Sequence, residues 1–520
     1  MKWPLYLLLL VALGCTQEAP MVRAQSSKGC ALTAWMMQQP PHSIRTQEAP
    51  PPVLRDTVVT VNGTAHPISI PAGFTMTVFA NGIPQCRGLA LSPDGVLYAT
   101  SFNGKVYALP DHNRDGVADS TIVVFSGLGD PDCVGFYHDT LYVSNDSELY
   151  RLTTASSSRI ASGKTQIASF PHSGSHFTRN FVFDTVRNKI YVEIGSNGNM
   201  DTTDFAHRAR IVEMNPDGSG YRSFASGLRN PEGMDFDPRT GALWANCNGM
   251  DDLFGSGTQL TDNNPSEGIY LVCDGANYGW PYCYGFQMRN PQSPWRTLDT
   301  NIVKTFSGPV AEVLAHSAPL SLHFYRGTKF PAMYHNAIFQ CYHGSWDRSP
   351  PAPPRITVLF VDTDGRNARV TDFVNGFEVL GPNNDSNTSH YFGRPVQLVE
   401  GADSALYVSD DAEGVIFRIA YTGTQSAVQP ITAGPRFDLG IRPNPATGAI
   451  EVAFFLPGIA WVQADLFDIL GKKVKALIDK ECPAGMTTIS IDTDSLTTGT
   501  YVLRAEAGGM AISRRIKIER

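Results

Sequence analysis

Six segments of the chain repeat one pattern, and that repeat narrows the fold more than any other feature. Each holds a turn with Pro, Arg or His, an alternating apolar strand, a Gly/Asp/Asn turn and a second strand. The first four are IPQCRGLALSPDGVLYATS from Ile83, DPDCVGFYHDTLYVSN from Asp130, HFTRNFVFDTVRNKIYVEIG from His176 and LRNPEGMDFDPRTGALWANC from Leu228. The fifth is AHSAPLSLHFY from Ala315, continued by NAIFQCYHGSW from Asn336, and the sixth is FGRPVQLVEGADSALYVSDD from Phe392. Alternation such as Leu89, Leu91 and Val96, Tyr98 is the period of a half-buried strand. The first four units start about 46 to 52 residues apart, the size of a four-stranded blade. Such hairpin units bury both faces only when stacked around an axis. The sequence therefore predicts an all-β fold with a six-bladed β-propeller over residues 56–422. A longer gap before Ala315 places an insertion at about 251–309.

The ring is expected to close by adding Thr57–Val61 (TVVTV) to the last blade. Residues 25–55 read as a Pro-rich tether and 423–436 as a linker. From 437 to 520 the texture changes to seven short strands, which predicts a small β-sandwich. At the start, Lys2 followed by the apolar run Leu5–Leu13 reads as an export signal over residues 1–24. Cleavage after Ala24 and lipidation at Cys15, in the Ala12-Leu13-Gly14-Cys15 context, both fit. No later stretch is long and apolar enough to suggest a membrane span.

The 41 basic and 49 acidic residues give a net charge of −8, which argues against a nucleic-acid partner but leaves room for a local cationic pocket. Nine cysteines in an exported chain point to disulfides. Cys86 and Cys133 hold the same place in consecutive units, as do Cys247 and Cys341, and Cys273 and Cys283 flank one turn. Cys30 and Cys482 have no obvious partner.

A propeller gathers equivalent residues at one mouth of its channel. The turns entering the innermost strands carry Arg87, Cys133, His176 with Arg179, Arg229 with Asn230, His316, and Arg394. Four arginines on one axis repel each other unless an anion sits among them or each pairs with a carboxylate of its own blade. The forked guanidinium suits carboxylates, so the set as a whole favours a compact polyanion as ligand.

Two resemblances follow from these motifs. HFTRNFVF at His176, GLRNPEGMDFDP at Gly227, NYGWPYCYG at Asn277, HGSWDR at His343 and GRPVQLVEGADSALYVSDD at Gly393 resemble the soluble quinoprotein sugar dehydrogenases, meaning the glucose/sorbosone and pyranose dehydrogenases. That resemblance implies bound PQQ, a tricarboxylate quinone, together with calcium, a sugar or related alcohol or aldehyde as substrate, and an external electron acceptor. It makes His176 the general base for the substrate hydroxyl while hydride passes to the quinone. Arg229 and Asn230 would hold quinone oxygens, with Arg87, Arg179, His343, Arg348 and Arg394 as further contacts. Calcium would take backbone carbonyls of the loop at Gly249 and Met250, where the family pattern is altered. The tail, through Pro443-Asn444-Pro445, Leu466-Phe467-Asp468, Gly471-Lys472 and Thr498-Gly499-Thr500-Tyr501, resembles the sorting domain of type IX secretion substrates. This implies an immunoglobulin-like fold, a partner in the secretion machinery, and a secreted or surface location in a Gram-negative bacterium.

Independently of either resemblance, Asp111, Asn113, Asp115 and Asp119, with Gly116, stand at EF-hand-like spacing, but Ile122 occupies the place of the bidentate glutamate. A structural calcium and an Asx-rich turn both fit. For the whole chain, a non-catalytic carbohydrate-binding propeller and a calcium-dependent lactonase-type hydrolase are the alternatives to a dehydrogenase.

Overall fold

The computed structural model describes residues 52–518, except 155–157, 350, 364, 380–389, 424–437 and seven short stretches of the C-terminal unit (443–445, 447, 457–459, 469–471, 483–484, 494–495 and 508–509). The chain divides into two compact units, Met1–Thr424 and Gln425–Arg520. The export signal, Cys15 and Cys30 lie outside the described residues.

The described part of the first unit is nearly all β and contains six four-stranded antiparallel sheets. Sheet one runs Cys86–Leu91, Leu97–Ser101, Lys105–Leu109, Ile122–Ser126, and sheet two Val134–Tyr137, Thr140–Ser144, Glu148–Thr154, Ala161–Ser169. Sheet three is Phe181–Asp184, Lys189–Ile194, Arg210–Met214, Arg222–Ser226. Sheet four is Asn230–Phe236, Leu243–Asn248, Glu267–Val272, Ala311–Val313. Sheet five is His323–Phe324, Ile338–Tyr342, Arg355–Phe360, Arg369–Val374. Sheet six joins Pro395–Glu400, Leu406–Asp410 and Val415–Tyr421 to Phe74–Ala80 from the start of the unit. Second strands such as Leu97–Ser101 are buried on both faces, whereas the outermost Ile122–Ser126 is largely open, as stacked sheets require.

Two expectations are corrected here. The strand that completes sheet six is Phe74–Ala80, not Thr57–Val61, which lies in a separate hairpin of Leu54–Val61 with Thr64–Pro71. Both segments alternate, but only the first carries Phe74, which meets Phe330, Tyr334, Phe373 and Tyr421 edge-on. That hairpin also starts inside the stretch read as tether. The insertion at 251–309 is interrupted by Glu267–Val272, the third strand of sheet four, so the sheet carries two excursions on either side of it.

The disulfides are corrected as well: no disulfide links the seven described cysteines, all of which are buried. Neighbouring inner strands do approach, but it is Gly88 that meets Cys133. A Cβ on Gly88 would lie 2.4 Å from the Asp132 carbonyl oxygen and 2.8 Å from Cys133 Cα. Burial pushes the Cys133, Cys247 and Cys341 thiols up to about 12, so they remain protonated and inert.

The first strands of sheets one, four and six each break register near their start, between Cys86/Leu89, Pro231/Met234 and Pro395/Leu398. Such bulges re-aim side chains. Here they bracket Arg87 and Glu232.

In the second unit, Asp438–Arg442, Ile450–Leu456 and Gly485–Ile491 form one sheet, and Lys473–Cys482, Ala460–Asp468, Gly499–Ala507 and Met510–Ile518 another. Val452, Val462, Leu466, Leu503 and Ile516 belong to its core.

Candidate functional site

Six sheets contribute to one linked network of polar side chains. From sheet one, Arg87 reaches Asp132 at 3.4 Å, just before sheet two, and Asp411 at 3.2 Å, just after the second strand of sheet six. Asp411 also holds His343 Nε2 at 2.9 Å, and the His343 carbonyl accepts from Arg394 Nε at 3.0 Å. On the other side, Asp132 accepts the Arg179 backbone N–H at 3.0 Å. The predicted arginines are thus brought together, but Arg87 is neutralised by carboxylates of neighbouring sheets. Those partners are distant in sequence, which is why inspection of one repeat at a time does not find them.

Around His176 the chemistry differs. Its Nδ1 lies 2.9 Å from the Ser196 carbonyl oxygen and 3.0 Å from Ser196 Oγ. A proton on Nδ1 serves the carbonyl and leaves Nε2 as the basic nitrogen. Burial, then the positive charge of Arg229, with Arg179 and Arg208 adding to it, holds His176 down to about 3. Arg179 is fully buried and spends its guanidinium on backbone carbonyls of Pro171, His176 and Thr178, while its Nε has no partner. Arg208, 3% exposed, donates to the His172 and Ser173 carbonyls, and its Nη1 has no partner. Burial pulls Arg179 down to about 10 and lowers Arg208 too. Buried guanidinium atoms without acceptors are costly unless an anion supplies them.

Asn230 packs against His176 through Gly195. A Cβ on Gly195 would fall 2.4 Å from Asn230 Oδ1 and 2.5 Å from His176 Cβ, so this close approach needs glycine. Arg229 donates from Nε to the Asn199 carbonyl at 3.1 Å and pairs with Asp251 at 2.7 Å.

Asp251, His316 and Asp347 present ligand atoms that all lie within 4.8 Å of one another. His316 Nε2 donates to the Thr261 carbonyl at 2.7 Å, and its Nδ1 lies 3.8 Å from Asp251 Oδ1. Two carboxylates offer the oxygens that calcium takes, and the imidazole adds a donor suited to softer divalent ions. Beside this group, the Met250 side chain is buried in an apolar cluster with Trp280, Leu253 and Ala209, and the Gly249 N–H donates to Glu267. Arg348 faces the short helix Gln259–Asn263, donating to the Asp262 carbonyl. The loop of Asp111, Asn113, Asp115 and Asp119 stands on internal Asx-type bonds, such as Gly116 N–H to Asp111 Oδ2 at 3.0 Å and Asp115 N–H to Asn113 Oδ1 at 2.8 Å. Arg208, Asp251, Asp347 and Asp411 were not singled out from sequence. Asp347 was within reach, because it sits in HGSWDR beside Trp346, an indole 88% exposed.

The first unit is thus a nearly all-β scaffold of six four-stranded sheets that gathers buried arginines around one histidine. The family model described as TrAA12-like matches residues 68–422, and the chain belongs to that family. A Secretion system C-terminal sorting domain matches residues 440–519, so the chain carries a type IX export signal at that end. An uncharacterized protein of Borreliella burgdorferi is 28% identical over 68% of this chain and 91% of its own length. The pyrroloquinoline quinone-dependent pyranose dehydrogenase of Coprinopsis cinerea is also 28% identical, over 47% of this chain but only 39% of its own length. In structure, the holo PQQ domain of the Coprinopsis cinerea pyranose dehydrogenase matches with TM-score 0.58 at 21% identity, covering 70% of this chain and all of that one. A calcium structure of the Trichoderma reesei family AA12 enzyme matches with TM-score 0.59 at 17% identity, covering 72% and 99%.

Proposed function

We propose that this is an exported PQQ- and calcium-dependent oxidoreductase acting on a sugar or a related alcohol or aldehyde, and passing electrons to an external acceptor. The six sheets are then the blades of a six-bladed propeller, and the C-terminal unit an immunoglobulin-like sorting module that the secretion machinery reads. One observation carries the reading: buried Arg179 Nε and Arg208 Nη1 have no acceptor, and both arginines bear on His176. A tricarboxylate fits that lack, and Arg229 and Asn230 complete the proposed cradle on the His176 side.

When bound, PQQ supplies the quinone that accepts hydride from the substrate carbon. The chain's own part is to place a base and exclude water. Ser196 fixes the His176 ring so that Nε2 can take the substrate hydroxyl proton. A bound anion would offset the field of Arg229 and raise His176 from its depressed value, making it a better base. Asp251, Asp347 and His316 are the proposed holders of the divalent ion, with the Gly249–Met250 carbonyls as the alternative. The Asp111–Asp119 loop remains a proposed structural calcium site. Trp346 offers the exposed aromatic face that a sugar ring stacks on.

A second reading, a non-catalytic sugar-binding propeller, draws on one observation. His176 Nδ1 faces Ser196 rather than a carboxylate, so among the described residues no carboxylate pairs with that nitrogen to stabilise an imidazolium. Purified protein given PQQ and calcium, then a panel of aldoses with a redox dye, separates the two. Dye reduction that needs both additions supports the oxidoreductase. A PQQ-induced thermal shift with no turnover supports the binding protein, and absence of any PQQ response overturns the first reading.

A further inference from the structure

Glu232 lies behind the site, 4% exposed, at the register break of the first strand of sheet four. Its Oε1 accepts from Asn230 Nδ2 at 2.8 Å and from Thr178 Oγ at 3.0 Å, and its Oε2 has no partner. An ionised carboxylate only accepts hydrogen bonds, whereas an amide has one donating and one accepting end. Glu232 therefore decides which end of Asn230 turns toward it. In the structure that end is Nδ2, which leaves Asn230 Oδ1 on the side of Gly195 and His176, buried and without a donor. Thr178, held by the same oxygen, links His176 to Arg179 along the chain.

An amide oxygen is the wrong end to offer a polyanion. If Glu232 gains a proton, its hydroxyl can donate to Asn230 Oδ1, the amide turns over, and Nδ2 becomes a donor for the ligand. The groups bearing on Glu232 favour such a proton. Burial and then Asp132 push its carboxyl up toward neutrality, opposed by Arg87 and by the bonds from Thr178 and Asn230. Glu193, fully buried with its own Oε2 unpartnered, is pushed up by burial and then by Glu232.

We propose that Glu232 is the positioning residue of this site, turning the Asn230 amide so that protonation of Glu232 and binding of the anionic ligand favour each other. The ligand's identity rests on the PQQ reading; the coupling between Glu232 and Asn230 does not.

Two measurements test it. Infrared titration of the ligand-free protein should show, in the wild-type-minus-Glu232→Gln difference, a carboxylic-acid carbonyl component that fades as pH rises through neutrality, over the remaining signal of Glu193 and Asp410. A band unchanged by Glu232→Gln, or none, overturns the proposal whether or not PQQ binds. PQQ affinity, read by calorimetry in buffers of different ionisation enthalpy, should rise by about tenfold per pH unit lost above neutrality, with net proton uptake. Glu232→Gln mimics the protonated acid, so it should bind tightly with that pH dependence removed, while the contribution of His176 stays. Equal pH dependence in wild type and Glu232→Gln overturns the coupling. Failure of both proteins to bind PQQ overturns the cofactor reading and leaves the infrared result to decide the role of Glu232.

Discussion

The two sides of the hub contrast sharply. Between sheets one, two, five and six, Arg87, Asp132, Asp411 and His343 satisfy one another, and none of the four leaves a buried polar atom unpartnered. Between sheets three and four, Arg179, Arg208, Asn230, Glu193 and Glu232 each leave one. A closed network holds a ring of sheets together. An open one holds the ring ready for something else, and the cost of its unpaired groups is met when a ligand arrives. The arginine pattern alone treats both sides as one anion cradle; the contrast assigns ligand chemistry to the His176 side and structure to the Arg87 side.

The largest expected effect sharpens that assignment. His176→Ala should cut dye reduction by about 10²–10⁴-fold with the fold intact by circular dichroism. If turnover survives, His176 is not the base. Arg87→Ala should instead unfold the protein more easily, by about 3 kcal/mol in urea, because it strands Asp132 and Asp411. A purely functional loss there would erase the contrast. Gly195→Ala should cost about 1–3 kcal/mol or its equivalent in PQQ affinity, since its Cβ collides with Asn230 and His176. Unchanged stability together with unchanged PQQ affinity would mean that the packing seen at Gly195 is not required.

The smallest effect is in the pH profile of thermal stability without ligand. His176 is held down to about 3, below its ordinary value near 6.5, so stability present above that ordinary value is lost as pH falls toward 3. Asp410 is pushed up to about 7 by burial, so the folded chain keeps a proton that the unfolded chain gives up, and stability is lost as pH rises from about 4 through 7. Melting temperature should therefore peak at mildly acidic pH. Asp410→Asn should raise the alkaline limb and His176→Ala the acid one; no change in either limb would contradict the assignments.

Much of this was legible in the sequence, for identifiable reasons. Strand alternation and turn chemistry repeat with each sheet, so the six units and the seven tail strands stand out locally. The closing strand did not, because TVVTV and FTMTVFA alternate alike and only aromatic packing at Phe74 separates them. His176, Arg179, Arg229 and Asn230 fall at equivalent turns and were found together. Arg208 sits outside the repeat, between the second and third strands of sheet three, and only burial reveals it. Glu193 did leave a trace, as a charge between Val192 and Ile194 inside the strand KIYVEI. Its meaning depends on Glu232, which is 39 residues away.

The central claim is that the His176 side of the hub, and not the Arg87 side, receives a polyanion. Calorimetric titration of PQQ into calcium-loaded wild type and into Arg208→Gln tests it directly. The account predicts one PQQ bound per chain by wild type and an affinity at least about tenfold weaker in the variant, with melting behaviour little changed. Equal affinity in the two proteins, or no binding by wild type, would contradict it.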